Sequence, residues 1–119
     1  MKVVNQDLVI VRGINDTWMK ENFSQMWIGF GGSPIGVPTE DAFFVGLYIK
    51  APVSGIKYIG VVSEIERYKE GADFYLKAII ELPTIIKPGH AIRKHEYWNI
   101  NNMGLTANQI SHLRATINF

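Results

Sequence analysis

The chain has 119 residues, of which 47% are hydrophobic and 19% charged, and its formal net charge is +1. This composition excludes a disordered chain, which is poorer in aromatics and richer in charge, and the near-neutral balance excludes a protein that coats DNA through its overall charge. The sequence has no cysteine, which excludes disulfides, thiolate-ligated zinc and a cysteine nucleophile.

The N-terminal third predicts a strand, a short helix and a second strand. Residues 8–11 are β-branched and apolar and end at Arg12-Gly13, which indicates a buried strand. Asn15 or Asp16 can cap a following helix. Residues 27–30 predict a strand, and the glycine- and proline-rich residues 31–38 predict a loop of functional length.

Three longer strands are predicted in the middle of the chain, over 42–50, 56–68 and 72–82. The third alternates strictly, with its even-numbered apolar residues on one face, and Pro83 is expected to end it. Gly46 and Gly60 lie inside consecutive strands. They indicate either a bulge or sharp coiling of the strands, or close packing of a neighbouring aromatic ring, and the sequence leaves both readings open.

The C-terminal residues predict a helix with a capping box. Thr106 can cap the helix and Gln109 can reach back to it, while Leu105 and Ile110 have hydrophobic-staple spacing. The whole pattern predicts one α+β domain over 1–119. We expect a small, mostly antiparallel curved sheet or barrel with short flanking helices.

Catalytic and cofactor motifs are not found. Pro34 stands where a dinucleotide-binding glycine motif needs its third glycine, and there is no Walker loop. His90, His95 and His112 lack the i,i+4 spacing of a helical metal site. We therefore expect no metal and no cofactor, and the sequence favours a binding module over an enzyme.

The stretch 87–98 combines positive charge with aromatic rings. Lysines and arginines neutralise phosphates, and aromatic rings stack on bases, so this combination is typical of single-strand and flipped-base recognition. The alternative is that Tyr97 and Trp98 belong to the core and the charges are merely solvated. The predicted contacts to the nucleic-acid backbone are Lys87, Arg93, Lys94 and His95.

A second aromatic set surrounds the glycine-rich loop. Most of its rings are expected in the core, but one or two could line a pocket for a planar or methylated ligand. The set comprises Trp18, Trp27, Phe30 and Tyr48.

Three segments resemble the PUA-like superfamily, especially its EVE and YTH-like branches. Residues 26–29 (Met-Trp-Ile-Gly) are similar to an early Trp-x-Gly segment, and residues 40–48 to a following apolar strand that ends in an aromatic residue. Residues 55–63 resemble the next strand, with its Gly-Ile and Val-Ser elements. The resemblance spans about 27–87, and Gly31-Gly32 replace the family's Arg-Asn.

The resemblance implies a compact barrel whose pocket accepts a modified base of DNA or RNA. The sequence hypothesis is thus a cytoplasmic, nucleic-acid-binding module without a membrane segment, since no apolar stretch approaches the roughly 18 residues needed to cross a bilayer. Its predicted base-pocket residues are Trp18, Trp27, Tyr48 and Trp98.

Two alternatives stay open at this point. One is an enzyme of the same fold acting on RNA or a nucleotide-like substrate, with a carboxylate or His90 in a cleft. The other is a protein-interaction or oligomerisation module, in which exposed tryptophan and tyrosine side chains anchor the interface.

Overall fold

The computed structural model describes residues 6–31, 36–92 and 94–117. They form six strands and two α-helices, with short 3₁₀ turns over Phe23–Gln25 and Ile100–Asn102. The strands are β1 (Leu8–Ile14), β2 (Trp27–Gly31), β3 (Phe44–Ile49), β4 (Gly55–Tyr68), β5 (Gly71–Ile86) and β6 (His95–Asn99). The helices are α1 (Asp16–Asn22) and α2 (Ala107–Ile117).

The six strands form one sheet in the order β2-β5-β4-β3-β1-β6. The pairing of β1 with β3 is parallel, and the other four pairings are antiparallel. The predicted α+β class with a mostly antiparallel sheet and short helices is confirmed. The sheet is not closed by pairing between β2 and β6 in the described residues, although the rings of Phe30 and His95 approach to 6.1 Å between centroids.

Apolar side chains cover the sheet on both faces. We call the two groups the α1-side cluster, which receives Met19 from α1, and the α2-side cluster, which receives Leu113 from α2. Strand β1 contributes to both, because successive side chains of a strand point to opposite faces. Ile10 belongs to the α1-side cluster and Val9 to the α2-side cluster. Neither helix in the described ranges is long and apolar enough to span a membrane.

The strict alternation predicted for β5 is wrong beyond Leu76. The strand's even-numbered residues pack on the α1-side cluster up to Leu76, whereas Ala78 and Ile80 pack on the α2-side cluster. The cause is a register shift: Leu76 pairs with Val62, and Ala78 pairs with the adjacent Val61. The extra residue of this bulge moves the following side chains to the other face.

Pro83 does not end β5, contrary to the sequence prediction. The strand continues to Ile86, but its pairing with β4 steps directly from Glu81–Tyr58 to Ile86–Ile56. Proline cannot donate to a strand ladder, and it is tolerated here because residues 82–85 lie in the unpaired part of this step.

Close packing explains the two glycines inside β3 and β4. A Cβ at Gly60 would lie 2.8 Å from Leu76 Cδ1, and a Cβ at Gly46 would lie 3.1 Å from Val11 Cγ2. The register shifts of these strands lie beside the glycines rather than at them, between Leu47 and Tyr48 in the β3–β4 pair. Both glycines are therefore closely packed, but by aliphatic side chains rather than by the aromatic ring that the sequence predicts.

Helix α2 begins with the predicted capping box. The Gln109 backbone N–H donates to Thr106 Oγ1 at 3.1 Å, and the Thr106 N–H donates to Gln109 Oε1 at 2.7 Å. Leu105 and Ile110 both pack on the α2-side cluster, as the staple spacing predicts. The capping box fixes where the helix starts, and the apolar residues fix which face it buries.

An ion pair ties the start of the chain to α2. The Asp7 carboxylate accepts hydrogen bonds from Arg114 Nε at 3.2 Å, from an Arg114 terminal nitrogen at 3.0 Å and from Asn101 Nδ2 at 2.9 Å. The hydrogen bond from Arg114 lowers the pKa of Asp7 below its ordinary value, although partial burial opposes this shift. The bonds therefore stabilise the ionised carboxylate.

Removing the cap of α2 tests the capping box. Thr106→Ala is expected to lower the free energy of unfolding by about 1 kcal/mol, because it leaves a backbone donor without its acceptor. Urea denaturation measures the change. Ser111→Ala, an exposed substitution inside the same helix, is the control and should not destabilise, because alanine favours helix. Equal effects of the two substitutions would contradict the capping role.

The Asp7 ion pair predicts a pH-dependent stability. Folding lowers the pKa of Asp7. The stabilisation by its ion pair is therefore fully present above the unfolded pKa of about 3.9, and it is lost as the pH falls through the lower pKa of the folded state. Asp7→Asn should therefore cost about 0.5–1 kcal/mol at pH 7 and much less near pH 2, since solvent screens this partly exposed pair. Urea unfolding at both pH values, with Glu21→Gln as control, measures the difference. If the free energies of unfolding of Asp7→Asn and native protein differ by the same amount at both pH values, the prediction is wrong.

Candidate functional site

The four aromatic residues predicted to form one base pocket lie in different environments. Trp18 is half-buried against the α1-side cluster, whereas Tyr48 is 3% exposed and lies inside the α2-side cluster with Trp98 packed against it. Trp27 is on the edge strand β2 and is 39% exposed. The structure thus brings Tyr48 and Trp98 to one face of the sheet and Trp18 to the other.

The predicted basic contacts are also divided. Lys87 and Lys94 are exposed, and Arg93 lies outside the described residues. His95 is half-buried, with its ring in edge contact with Phe30 and, at 5.4 Å between centroids, with Tyr97. His95 is therefore part of the packing between the two edges of the sheet.

The C-terminal end of the stretch 87–98 has a structural hydrogen-bond network. Trp98 Nε1 donates to Glu96 Oε1 at 3.0 Å, and His90 Nε2 lies 2.8 Å from Glu96 Oε2. Alternation along β6 puts Glu96 and Trp98 on the face opposite to His95 and Tyr97. The two rings of this stretch, Tyr97 and Trp98, therefore lie on opposite faces of β6.

Arg12 is the charged residue of β1, and a charged side chain is not expected on a strand that otherwise packs in apolar clusters. It follows Ile10 in the alternation and faces the α1-side cluster, with its guanidinium carbon 5.3 Å from the centroid of the Phe30 ring. Arg12 Nε is buried and has no hydrogen-bond partner in the described part of the chain. No described carboxylate forms an ion pair with Arg12. Burial accordingly lowers the pKa of Arg12 from its usual value.

A cleft of about 150 Å³ lies where Arg12 meets the end of its strand. The cleft places the half-buried Arg12 beside the ring of Trp18 and the exposed Lys50. Its lining residues are Arg12, Gly13, Ile14, Asn15, Trp18 and Lys50.

The topology of the sheet brings these residues together. Since β1 and β3 run parallel, their carboxyl ends meet at the same edge, and the Lys50 N–H donates to the Ile14 carbonyl at 2.9 Å. Helix α1 starts directly after β1 and carries Trp18 to the same edge. A Cβ at Gly13 would collide with the Ile92 carbonyl oxygen, so this position of the cleft lining requires glycine.

Sequence reasoning included Trp18 in the pocket but missed Arg12 and Lys50. From the sequence, Arg12 is only the end of a predicted buried strand, and Lys50 is only the last residue of another. The available signal was a charged side chain in register with the inward-facing residues of an apolar strand. The Lys50 position could not be found in this way, because it depends on the parallel pairing of β1 with β3.

The charged side chains of the cleft supply hydrogen-bond donors. Arginine and lysine are hydrogen-bond donors only and favour acceptors or anions. The described residues contain no group of three or more histidine and carboxylate side chains placed to hold a metal ion. Comparison of the chain with protein-family models, with curated proteins and with solved structures finds no match.

The placement of the tryptophans predicts unequal roles in stability. Trp98→Ala should lower the free energy of unfolding by about 3 kcal/mol, because it leaves a cavity beside the α2-side cluster and removes the Glu96 hydrogen bond. The matched control Trp27→Ala should cost about 1 kcal/mol or less, since Trp27 is on an exposed edge. Thermal and urea denaturation measure both values, and a larger loss for Trp27→Ala would contradict these placements.

Proposed function

We propose that this protein is a nucleic-acid-binding module that takes up a base in the cleft formed by Arg12, Trp18 and Lys50. The observation that carries the proposal is the state of Arg12: a half-buried side chain at the wall of an open cleft, whose Nε is buried without a hydrogen-bond partner and whose charge has no ion-pair partner in the described residues. The target is single-stranded DNA or RNA, or a base flipped out of a duplex.

The energetics of burial support a ligand for Arg12. A buried donor without an acceptor costs about 1–3 kcal/mol, and more when it is charged. Contact with the Phe30 ring offsets about 0.5–2 kcal/mol of this cost. A ligand that brings an acceptor to the guanidinium recovers part of the remainder, so the unliganded site favours binding.

The other lining residues suit a nucleotide. Trp18 is half-buried at the cleft and offers an aromatic surface for base stacking, which contributes about 1–3 kcal/mol per base. Lys50 is exposed beside it and can attract the phosphate of the same nucleotide. Such binding weakens with salt, because phosphate neutralisation releases counterions.

The PUA-like resemblance of residues 27–87 agrees with this proposal, since that family holds a base in a barrel pocket. The approach of Phe30 to His95 across the open sheet is consistent with a barrel-like curvature, and this finer description of the fold is part of the proposal. A modified base is the ligand class that the resemblance implies. The site proposed here differs from the sequence prediction, because Tyr48 and Trp98 lie on the other face of the sheet.

Replacing Arg12 tests the proposal. Arg12→Met is expected to weaken binding of a short single-stranded oligonucleotide at least about tenfold, because hydrogen bonds to a charged group contribute about 1.5–3 kcal/mol. Its free energy of unfolding should stay within about 1 kcal/mol of native or rise, since an apolar chain replaces an uncompensated cation. Fluorescence anisotropy of a labelled oligonucleotide at two salt concentrations measures binding, and urea denaturation measures stability.

The control is Lys20→Met, which removes one positive charge from a 76% exposed side chain on α1. It should change affinity less than threefold, because Lys20 does not line the cleft and its charge acts only through the general field. Equal losses for the two substitutions would show that the cleft is not the site. No saturable binding of any oligonucleotide at tens of micromolar protein would refute the proposal.

A further inference from the structure

We infer that the sheet face formed by the β4–β5 hairpin and the adjoining β2 binds a basic segment of another protein, extended and with arginine at every second position. We call this surface the hairpin face. It is separate from the cleft of Arg12, so the inference does not depend on the proposed function. The hairpin face consists of three aromatic and three acidic residues: Trp27, Tyr68, Tyr75, Glu64, Glu66 and Asp73.

The hairpin face lies on the side of the sheet opposite to the α1-side cluster. Ile65 of β4 and Phe74 of β5 pack on that cluster, so the residues that alternate with them point the other way. In the described part of the chain, neither apolar cluster includes any of the six residues. Four of the six are exposed, and Asp73 and Tyr75 are half-buried. The surface is therefore open to a partner.

Two aromatic rings of the hairpin face lie against glycines. A Cβ at Gly29 would lie 3.2 Å from Cζ3 of Trp27, and a Cβ at Gly71 would lie 2.8 Å from Cε2 of Tyr68. Trp27 is nevertheless 39% exposed and Tyr68 54% exposed. Each ring thus has backbone on one side and solvent on the other, and an exposed aromatic face attracts a guanidinium or ammonium group.

The carboxylates of the hairpin face are held beside these rings. Tyr68 Oη donates to Asp73 Oδ1 at 3.2 Å, and Tyr75 Oη donates to Glu66 Oε2 at 3.2 Å. Each bond occupies one of the several acceptor positions of an ionised carboxylate. None of the ion pairs formed by the described residues includes Glu64, Glu66 or Asp73. The charge of this face is complementary to a cation.

The cations of the hairpin itself are directed elsewhere. Arg67 alternates to the opposite face, where its terminal nitrogen lies 2.6 Å from Asp41 Oδ1. Lys77 Nζ donates to the last carbonyl of α2 at 2.6 Å. Lys69 and Glu70 form the turn between the strands, where their opposite charges offset each other. The three carboxylates therefore give the hairpin face a negative potential.

The register of the hairpin sets the spacing of the ligand. Glu64 pairs with Tyr75, and Glu66 pairs with Asp73, so two successive rows each combine carboxylates with an aromatic ring or its hydroxyl. Rows two residues apart are separated by roughly 7 Å, and side chains on one face of an extended peptide repeat at the same distance. Arginine suits such rows better than lysine, because its planar fork pairs with a carboxylate and also stacks on a ring.

The experiment titrates the full chain into a fluorescently labelled peptide, Gly-Arg-Gly-Arg-Gly-Arg-Gly, and follows its anisotropy at two salt concentrations. The matched ligand has citrulline in place of each arginine, which keeps the planar hydrogen-bonding group and removes the charge. The arginine peptide should bind saturably and more weakly at high salt. The citrulline peptide should bind at least about tenfold more weakly, because charged hydrogen bonds are the stronger ones.

Two variants locate the binding on the hairpin face. Asp73→Asn keeps the side-chain shape and should weaken peptide binding about five- to tenfold, since it removes one charge-assisted contact. Tyr68→Leu keeps an apolar side chain without the ring and should weaken binding about two- to tenfold. The control is Glu21→Gln, an exposed carboxylate on α1, which should change affinity less than about twofold. Circular dichroism reports the fold of each variant, and Asp73→Asn decides the matter if Tyr68→Leu does not fold.

Three results would overturn the inference. Equal losses for Asp73→Asn and Glu21→Gln would show that the peptide responds to overall charge and not to this face. Equal affinity for the arginine and citrulline peptides, or no saturable binding at about 1 mM protein, would show that the face does not bind a basic segment. Self-association in sedimentation that Asp73→Asn abolishes, without peptide binding, would identify a second copy of the chain as the occupant instead.

Discussion

The double burial of β1 is the constraint on which the rest of the fold depends. This strand lies between the parallel β3 and the antiparallel β6, and its side chains enter both apolar clusters. Such a strand has no solvated face, so apolar residues are required at nearly every position. Arg12 is an exception, and an exception at this place is costly unless something outside the packed core compensates it. The proposed binding role follows from this conflict between position and chemistry.

Local patterns in the sequence predicted the features that depend on neighbouring residues. The capping box of Thr106 and Gln109 is confirmed because both its hydrogen bonds join residues three apart. The strands around 42–50 and 56–68 are found because runs of apolar and β-branched residues favour extended backbone. The even-numbered alternation of β5 fails beyond Leu76, because a bulge depends on the register with β4, which no local pattern records.

The candidate site was harder to predict for the same reason. The predicted pocket combines aromatic residues around the glycine-rich loop with Trp98, which the PUA-like resemblance adds. Tyr48 and Trp18 lie on opposite faces of the sheet, since one faces each cluster. The cleft instead depends on the parallel pairing of β1 and β3, which brings Arg12 and Lys50 together from 38 positions apart, that is, from 12 to 50. Parallel pairing requires a crossover, so it leaves no turn signal between the two strands.

In the described residues, side chains of the two edge strands, β2 and β6, contact each other. Phe30 from β2 and His95 from β6 touch through their rings, with Arg12 over the same Phe30 ring, whereas each strand's described ladder runs to its other neighbour. Among the described residues, the edge strands β2 and β6 meet through these rings and not through a strand ladder, and individual ring contacts are weak. A separation of these rings would expose the face of Phe30 on which Arg12 lies and would leave the strand order of the sheet unchanged.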